Sequence, residues 1–335
     1  MKEQKLIAYC LTDNLKTMKE KDVRVLDFIH VAFGLIKDGE VYWKEESGIE
    51  DISHIRKINP EIKIVLSIGG WEADGFSQAA ETADGRNKWA ESVVRLVEKY
   101  GFDGVDVDWE YPCSDKAGIR AISQDKENFT LLLETMRERL EDSKTLSIAA
   151  GALKSYLENT QMEKAAKFLD YVQLMTYDLC GEWDGVTGHH AGLYSYGEGT
   201  PNSDEIIRLF AQAGVPYEKM VMGAAFYSRG WKGVEGGKPG SPAAEIADVL
   251  SYGDIIKELE TGQSDYRKYW DEDAKAAYLY NGSEFVTYED ARALQYKVKY
   301  VKEQEMFGLM YWEYGQDKTG RLTQFLRDQL DNVWC

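Results

Sequence analysis

Short apolar runs alternate with amphipathic stretches along most of this chain. Apolar runs bounded by polar or turn-forming residues are typical of buried strands. Eight such runs cover residues 5–10, 28–33, 62–67, 102–109, 146–150, 171–177, 220–226 and 307–312. Between them, apolar residues recur every three or four positions, which predicts helices at 86–99, 125–140, 203–213 and 288–304. This alternation predicts an α/β fold, a (β/α)8 TIM barrel whose functional site lies at the C-terminal ends of the strands.

One long segment interrupts the alternation. About sixty residues separate the seventh predicted strand from the helix at 288–304, far more than an ordinary barrel connection needs. The segment begins with glycine and proline, then becomes rich in aromatic residues, and short strands are predicted at 277–280 and 284–287. Its aromatic content argues against disorder. We predict a small α+β insertion at 231–288 that forms one wall of the cleft, within a catalytic barrel made of residues 1–230 and 289–335.

The charge of the chain narrows the range of partners. A net charge of −18 and a pI near 4.8 argue against nucleic acid and anionic membranes as binding partners. The binding of a neutral ligand would not be affected by this charge. No run approaches the roughly 18 apolar residues of a membrane span. The start of the chain, MKEQKLIAYC, lacks the apolar core of a signal peptide. We therefore expect a cytoplasmic protein, or a secreted one if a leader precedes this sequence.

Cysteine and histidine spacing does not indicate a metal site. The four cysteines, Cys10, Cys113, Cys180 and Cys335, lack zinc-site spacing, and two adjacent histidines cannot form an i, i+4 metal pair on a helix. We read His189 and His190 as structural and expect no metal or organic cofactor. Free thiols are expected, with a disulfide near the cleft mouth as the alternative for a secreted protein.

The fourth apolar run carries an unusual number of acids. The string GFDGVDVDWEYP at 101–112 contains Asp103, Asp106, Asp108 and Glu110. In an extended strand the last three share one face and Asp103 points to the other. Like charges this close, and buried, disfavour ionisation, so we expect Glu110 at the strand end to hold a proton near neutral pH. The alternatives are a solvated acidic loop or a calcium loop, but calcium loops place small polar residues between the acids, where this string has Val and Trp.

This string resembles the DxxDxDxE signature of glycoside hydrolase family 18, and its WEYP continuation resembles the chitinase branch. The resemblance implies hydrolysis of β-1,4 bonds between N-acetylglucosamine units, with retention and an oxazolinium ion formed by the substrate's own acetamido group. It implies that Glu110 is the general acid and base, that Asp108 orients the acetamido group, and that Asp106 holds Asp108. It further implies that Tyr177 donates to the acetamido oxygen, and Asp103 is expected to be structural.

Other strand ends carry similar motifs. The segments SIGGW at 67–71, MTYD at 175–178, FYSRGW at 226–231 and GLMYWE at 308–313 resemble family motifs on the third, sixth, seventh and eighth strands. Four of the nine tryptophans, Trp71, Trp183, Trp231 and Trp312, follow predicted strands, which favours a carbohydrate track along one rim. The predicted substrate-binding residues are Trp312, Trp71, Met175, Asp178, Tyr227, Arg229, Tyr9, Phe33, Gly70 and Trp183.

Several alternatives share this fold or these acids. A carbohydrate-binding lectin would normally lack the terminal acid, which is present as Glu110. An endo-β-N-acetylglucosaminidase that acts on N-glycans and a peptidoglycan-directed relative would share the acids. The expected partner is chitin or a chitooligosaccharide, bound by a monomer.

Overall fold

A computed structural model of the chain describes residues 3–44, 48–262 and 264–332. Its strands, in chain order, are β1 (Lys5–Leu11), β2 (Phe28–Lys37), β3 (Glu40–Tyr42), β4 (Lys63–Gly69), β5 (Gly104–Asp108), β6 (Thr145–Gly151), β7 (Tyr171–Met175), β8 (Met220–Ala225), β9 (Arg229–Lys232), β10 (Glu245–Ile246), β11 (Arg267–Asp271), β12 (Ala276–Tyr280), β13 (Phe285–Tyr288) and β14 (Gly308–Trp312). Its helices are α1 (Glu20–Val23), α2 (Gly48–Ile58), α3 (Phe76–Ala80), α4 (Ala83–Tyr100), α5 (Asp125–Arg139), α6 (Lys154–Glu158), α7 (Met162–Ala165), α8 (Ser203–Gln212), α9 (Tyr252–Thr261), α10 (Ala291–Glu303) and α11 (Arg321–Asp331).

The strands β1, β2, β4, β5, β6, β7, β8 and β14 form a closed parallel barrel. Each pairs with the next, and β1 pairs with both β2 and β14, which closes the sheet. These eight strands coincide with the eight apolar runs, so the predicted (β/α)8 barrel is confirmed. Short β3 extends β2 as an antiparallel hairpin outside the barrel.

The strand that carries the acids is buried along its whole length. Val105 and Val107 pack in the apolar layer between the barrel and its helices. Asp106 and Asp108 occupy the alternate positions and face the barrel interior, because successive side chains of a strand point to opposite faces.

The turn before β5 fixes where that strand begins. Helix α4 ends at Gly101, whose φ of 69° suits a residue without a side chain. Two residues later, the Asp103 carboxylate accepts hydrogen bonds from Arg56 Nη2 at 2.8 Å and from the Ile64 backbone N–H at 2.9 Å. Asp103 therefore links α2 to the start of β4, on the side of β5 away from the barrel interior.

A second, antiparallel sheet follows β8. Its strand order is β10, β9, β13, β12 and β11, and α9 lies between β10 and β11 in the chain. The predicted short strands at 277–280 and 284–287 correspond to β12 and β13. The sheet begins at Arg229 and ends at Tyr288; the domain boundary at 231–288 stays a prediction.

The expectation that Trp231 belongs to the carbohydrate rim is wrong. Its side chain is only 1% exposed and lies 6.0 Å from the ring of Phe285, within the apolar core of the second sheet. Cys180, from the loop after β7, packs into the same cluster. Trp231 therefore attaches the second sheet to the barrel.

Cys10, Cys113 and Cys180 are free thiols, and Cys335 lies outside the described residues. Within the described part of the chain, every helix is too short or too polar to cross a membrane.

A buried ion pair supports the C-terminal end of β8. Lys297 of α10 and Glu289 are 1% and 3% exposed, and Lys297 Nζ lies 2.9 Å from Glu289 Oε1. Lys297 also donates to the Gly223 carbonyl at 2.9 Å, and Glu289 accepts from the Ala225 N–H at 2.7 Å. Both side chains thus satisfy backbone groups on the strand that leads to Tyr227.

We expect Lys297→Met to lower the free energy of unfolding by about 3–5 kcal/mol, because it leaves a buried carboxylate without its partner. The matched control is Lys299→Met on the same helix, where an exposed pair with Glu303 spans 3.6 Å. The control should cost less than about 1 kcal/mol. Urea unfolding measures both, and equal losses would contradict the assignment.

Candidate active site

Asp106 is the most enclosed acid of the site. Its carboxylate is 0% exposed and accepts from Ser147 Oγ at 2.7 Å and Gln173 Nε2 at 3.1 Å through Oδ1. Its Oδ2 accepts from the Tyr9 hydroxyl and from Ser67 Oγ, each at 2.8 Å. The donors come from β1, β4, β6 and β7, so the closed barrel supplies what a buried carboxylate requires.

His30, on β2, completes the surroundings of Asp106. Its Nδ1 lies 3.5 Å from Asp106 Oδ2, and both side chains are fully buried. Burial acts to raise the pKa of Asp106, but His30 together with the Ser147 and Ser67 hydroxyls outweighs it and lowers the pKa below its usual value. Asp106 is therefore ionised at neutral pH.

Asp108 has a pKa shifted in the opposite direction. It is 4% exposed, and its Oδ1 has no hydrogen-bond partner among the described residues. Burial, followed by the charges of Glu110 and Asp106, raises the pKa of Asp108 well above its usual value. The pKa values of these two acids, two residues apart on one strand face, are thus shifted in opposite directions, because Asp106 has His30 and four donors around it and Asp108 Oδ1 has none.

Glu110 follows the end of β5. Burial raises the pKa of Glu110 to about 7; a hydrogen bond from Tyr111 acts to lower it and the charge of Asp178 acts to raise it. A carboxyl group with a pKa near the working pH both donates and accepts protons efficiently. Glu110 is therefore suited to general acid and base chemistry.

Arg229 and Asp178 form a bidentate ion pair beside Glu110. Arg229 Nε and Nη2 donate to Asp178 Oδ1 and Oδ2 at 2.8 and 2.9 Å. Burial acts to raise the pKa of Asp178, but His190 and Arg229 outweigh it, so the pKa lies well below its usual range. The guanidinium also lies 5.6 Å from the ring centre of Trp183. Arg229, predicted to contact sugar, is thus engaged by a site acid.

Tyr177 and its neighbours line the adjacent part of the site. Its ring packs edge-on against Tyr227 at 6.1 Å, and Met175 is 8% exposed in the barrel interior. Burial, then the charges of Asp108 and Glu110, raises the pKa of Tyr177 well above its usual value. The phenol therefore stays protonated and can donate a hydrogen bond.

Aromatic rings form the floor near the ends of β1, β2 and β14. Trp312 stacks on Phe33 with ring centres 5.6 Å apart and lies 5.7 Å from Tyr9. A Cβ on Gly70, whose φ is 94°, would lie 2.7 Å from the Phe33 ring, so only glycine fits there. Trp71 is 55% exposed, 6.4 Å from the Tyr111 ring.

The predicted residues occupy different environments. Trp71 and Trp183 are exposed to solvent, at 55% and 59%, whereas Tyr9, at 2%, uses its hydroxyl to hold Asp106. His189 Nε2 lies 3.0 Å from Asp271 Oδ2 and links the loop after β7 to β11. Within the described ranges, no group of three or more His, Cys, Asp or Glu side chains could hold a metal ion.

The sequence motifs include Ser67 but give no role to His30, Ser147 or Gln173. All four contact Asp106 or His30 at the barrel centre. Each of these residues is polar and lies at an inward position of an otherwise apolar strand, and this pattern could have identified them from the sequence.

The chain is similar to known glycoside hydrolases. Residues 5–317 match the sequence profile of glycosyl hydrolases family 18. The chain belongs to this family. Chitinase A1 of Niallia circulans is 35% identical over 84% of this chain, and Chitinase B of Serratia marcescens is 32% identical over 82%. The chain spans 44% of the length of the former and 68% of the latter.

Family 18 structures superpose closely on the barrel and second sheet. A family 18 N-acetylglucosaminidase from Paenibacillus barengoltzii has a TM-score of 0.92 and 40% identity, with 97% of this chain and 99% of that chain covered. Chitinase ChiW from Paenibacillus sp. str. FPU-7 has a TM-score of 0.93 and 34% identity, with 98% and 43% covered.

We expect Gly70→Ala to lower the free energy of unfolding by roughly 2–4 kcal/mol. Alanine is strained at the positive φ of this position, and its Cβ would also clash with the Phe33 ring. The control Gly118→Ala has a φ of 74° but nothing within 4 Å of the new Cβ. It should therefore show only the backbone cost, about 1–2 kcal/mol. Chemical denaturation compares the two, and near-ultraviolet circular dichroism should change only for Gly70→Ala, because Phe33 stacks on Trp312. An unchanged spectrum for Gly70→Ala would contradict the contact.

Proposed function

We propose that this chain, as a monomer, is a chitinase that hydrolyses β-1,4 bonds between N-acetylglucosamine units of chitin or chitooligosaccharides. The observation that carries the proposal is the unequal surroundings of the three acids: four donors and His30 surround Asp106, Asp108 Oδ1 has no hydrogen-bond partner among the described residues, and burial raises the pKa of Glu110 to about 7. The names of the relatives as chitinases support the same substrate class.

The nucleophile is the substrate's own acetamido oxygen. A protein nucleophile in a retaining glycosidase is a carboxylate about 5 Å from the acid, on the other side of the sugar. Asp106 and Asp108 share the strand that leads to Glu110, and both oxygens of Asp178 accept from Arg229. None of these acids is therefore placed to act as the nucleophile. Instead, the acetamido carbonyl attacks the anomeric carbon while Glu110 protonates the leaving oxygen, and an oxazolinium ion forms.

The second step reverses the role of Glu110. Its carboxylate takes a proton from water, the water attacks the anomeric carbon, and the acetamido group is restored with retained configuration. Asp108 faces the acetamido N–H and stabilises the positive charge that develops there, and Tyr177 donates to the acetamido oxygen. Asp106 holds Asp108 in place.

Aromatic faces bind the sugar rings. Trp312, supported by Phe33 and Tyr9, floors the subsite of the reacting sugar, because an indole plane suits the apolar face of a pyranose. Trp71 and Trp183 extend the track on either side. The remaining contacts come from Met175, Asp178, Tyr227, Arg229 and Gly70. Residues 231–288 form the cleft wall as an insertion into the barrel of 1–230 and 289–335.

A second candidate is the release of single N-acetylglucosamine units. It is favoured by the N-acetylglucosaminidase of Paenibacillus barengoltzii, which this chain matches over 99% of that protein's length. The acids and the mechanism would be the same, and the two candidates differ only in how many sugars bind on the non-reducing side of the cut.

Mass spectrometry of the products tests the proposal. The protein is mixed with N-acetylglucosamine hexamer, a high-mannose glycopeptide and a peptidoglycan fragment in separate reactions. Dimers and trimers from the hexamer establish a chitinase, and monomers with a pentamer intermediate establish the second candidate. Cleavage of only the glycopeptide or the peptidoglycan contradicts the substrate, and binding without any cleavage supports a lectin.

We expect Glu110→Gln to lower kcat by at least about 10³-fold and to retain hexamer binding, since the amide is isosteric but cannot transfer a proton. Calorimetric titration measures the binding, and reducing-sugar release measures kcat. The control is Asp103→Asn, an acid of the same motif that contacts Arg56 outside the barrel. The control should lose stability but keep its kcat, and Glu110→Gln with wild-type turnover would remove Glu110 from its role.

The pH profile should report Glu110 directly. Because the leaving-group step needs protonated Glu110, whose pKa is about 7, kcat/KM should fall as the pH rises through about 7. An ordinary glutamate would lose its proton near the reference value of 4.5. Initial rates on a soluble oligosaccharide between pH 4 and 10 measure this fall in kcat/KM. A fall that is complete below pH 5 would contradict the assignment.

A further inference from the structure

His30 lies in the barrel centre beneath the acids. Its side chain is 0% exposed, and its Nε2 lies 2.9 Å from the Tyr171 hydroxyl. Its Nδ1 lies 3.1 Å from Gln173 Nε2 and 3.5 Å from Asp106 Oδ2. Among the described residues, His30 is the only side chain able to carry a positive charge that lies within 4 Å of Asp106 or Asp108. The mechanism above gives it no role.

The groups around the imidazole come from every neighbouring strand. Asp106 approaches from β5, Tyr171 from β7, and the Tyr9 ring from β1 with its centre 4.9 Å away. On the β4 side the paired residue is Val65, which has no titratable group. Asp106 is therefore the carboxylate that faces the imidazole ring.

The hydrogen bonds around His30 can be completed in two ways. With a neutral ring, Gln173 Nε2 donates to His30 Nδ1 and to Asp106 Oδ1, and His30 Nε2–H donates to Tyr171. With a protonated ring, His30 Nδ1–H donates to Asp106 Oδ2. The second N–H of Gln173 then donates to the Tyr9 hydroxyl, 2.5 Å away, in place of His30 Nδ1. Neither arrangement leaves a buried N–H without a partner, so Gln173 allows His30 to change its charge at low cost.

The reaction requires such a change. Burial raises the pKa of Asp108 well above its usual value and so favours its neutral form, yet Asp108 stabilises positive charge best as an anion once the oxazolinium ion forms. Its proton must then go to another group. Asp106 could not keep it without weakening the interactions with its four donors.

We propose that His30 is a positioning residue that stores this proton during catalysis. The Asp108 proton passes to Asp106, and Asp106 releases a proton to His30 Nδ1. The trio changes from neutral Asp108, anionic Asp106 and neutral His30 to two carboxylates and an imidazolium, so its net charge stays at −1. The proton returns to Asp108 when water opens the oxazolinium ion. This inference rests on the proposed function.

Nitrogen NMR of the intact protein tests the inference directly. The chain has four histidines, and the His30 signals are assigned by their absence in His30→Gln. The probe is the thiazoline analogue of diacetylchitobiose, a stable mimic of the oxazolinium intermediate. We expect the His30 ring to gain a proton when the complex forms. A complex in which His30 keeps the protonation state of the free protein would overturn the inference, even if His30→Gln is folded but inactive.

Kinetics provide the second measurement. His30→Gln keeps a polar side chain but cannot hold the proton, so kcat should fall about 100-fold with little change in KM, at the lower end of what a positioned proton-transfer group contributes. The matched control is His54→Gln on the exposed face of α2, which should behave as wild type. A His30→Gln variant within about threefold of wild-type kcat, with an unchanged pH profile, would overturn the inference.

The two proposals fail in different ways. If the wild-type protein cleaves none of the sugar polymers, the proposed function fails and the inference fails with it. If the wild-type protein cleaves the hexamer but His30 shows no change in charge or in kinetics, only the inference fails.

Discussion

The buried charge of Asp106 is the constraint on which the rest of the site depends. Taking an unpaired carboxylate out of water is strongly unfavourable, so the charge depends on His30 and on the four donors that converge on it. Those donors come from four strands that meet only when the barrel closes. Closure therefore permits the charge. Burial, then the charges of Glu110 and Asp106, raises the pKa of Asp108, two residues away. The two aspartates differ chemically because their surroundings differ.

A second charge balance operates on the other side of Glu110. Asp178 would be a competing acid, but the bidentate contact with Arg229 keeps it ionised and occupied. Arg229 is the first residue of β9, and so the second sheet contributes directly to the electrostatics of the barrel. The buried Trp231, two residues further on, attaches the same strand to the sheet core. The second sheet, which interrupts the alternation of barrel strands and helices, thus supplies Arg229 as the partner of Asp178.

The aromatic floor depends on close backbone approach. Gly69 and Gly70 both have positive φ, and a Cβ on Gly69 would lie 2.0 Å from the Asp108 carbonyl oxygen. The Gly70 N–H donates to that same oxygen at 2.9 Å, so the end of β4 is joined to the strand of acids. Phe33 then packs over Gly70 and supports Trp312. Small residues at one strand end and large rings at two others are parts of a single packing arrangement.

The sequence by itself determined the barrel, the position of the acid row and the existence of a second α+β unit. Each of these depends on local periodicity: alternating side chains in strands, three- to four-residue spacing in helices, and acids placed within eight residues of one another. Only the tertiary structure decided which groups share Asp106, because Tyr9, Ser67, Ser147, Gln173 and His30 lie on five strands and their spacing along the chain carries no information about distance. The tertiary structure also decided which tryptophans are buried and which are exposed. Trp183 and Trp231 both follow predicted strands, yet one is exposed and the other is covered by a sheet. Burial depends on what packs over a residue, and that is settled by the fold as a whole.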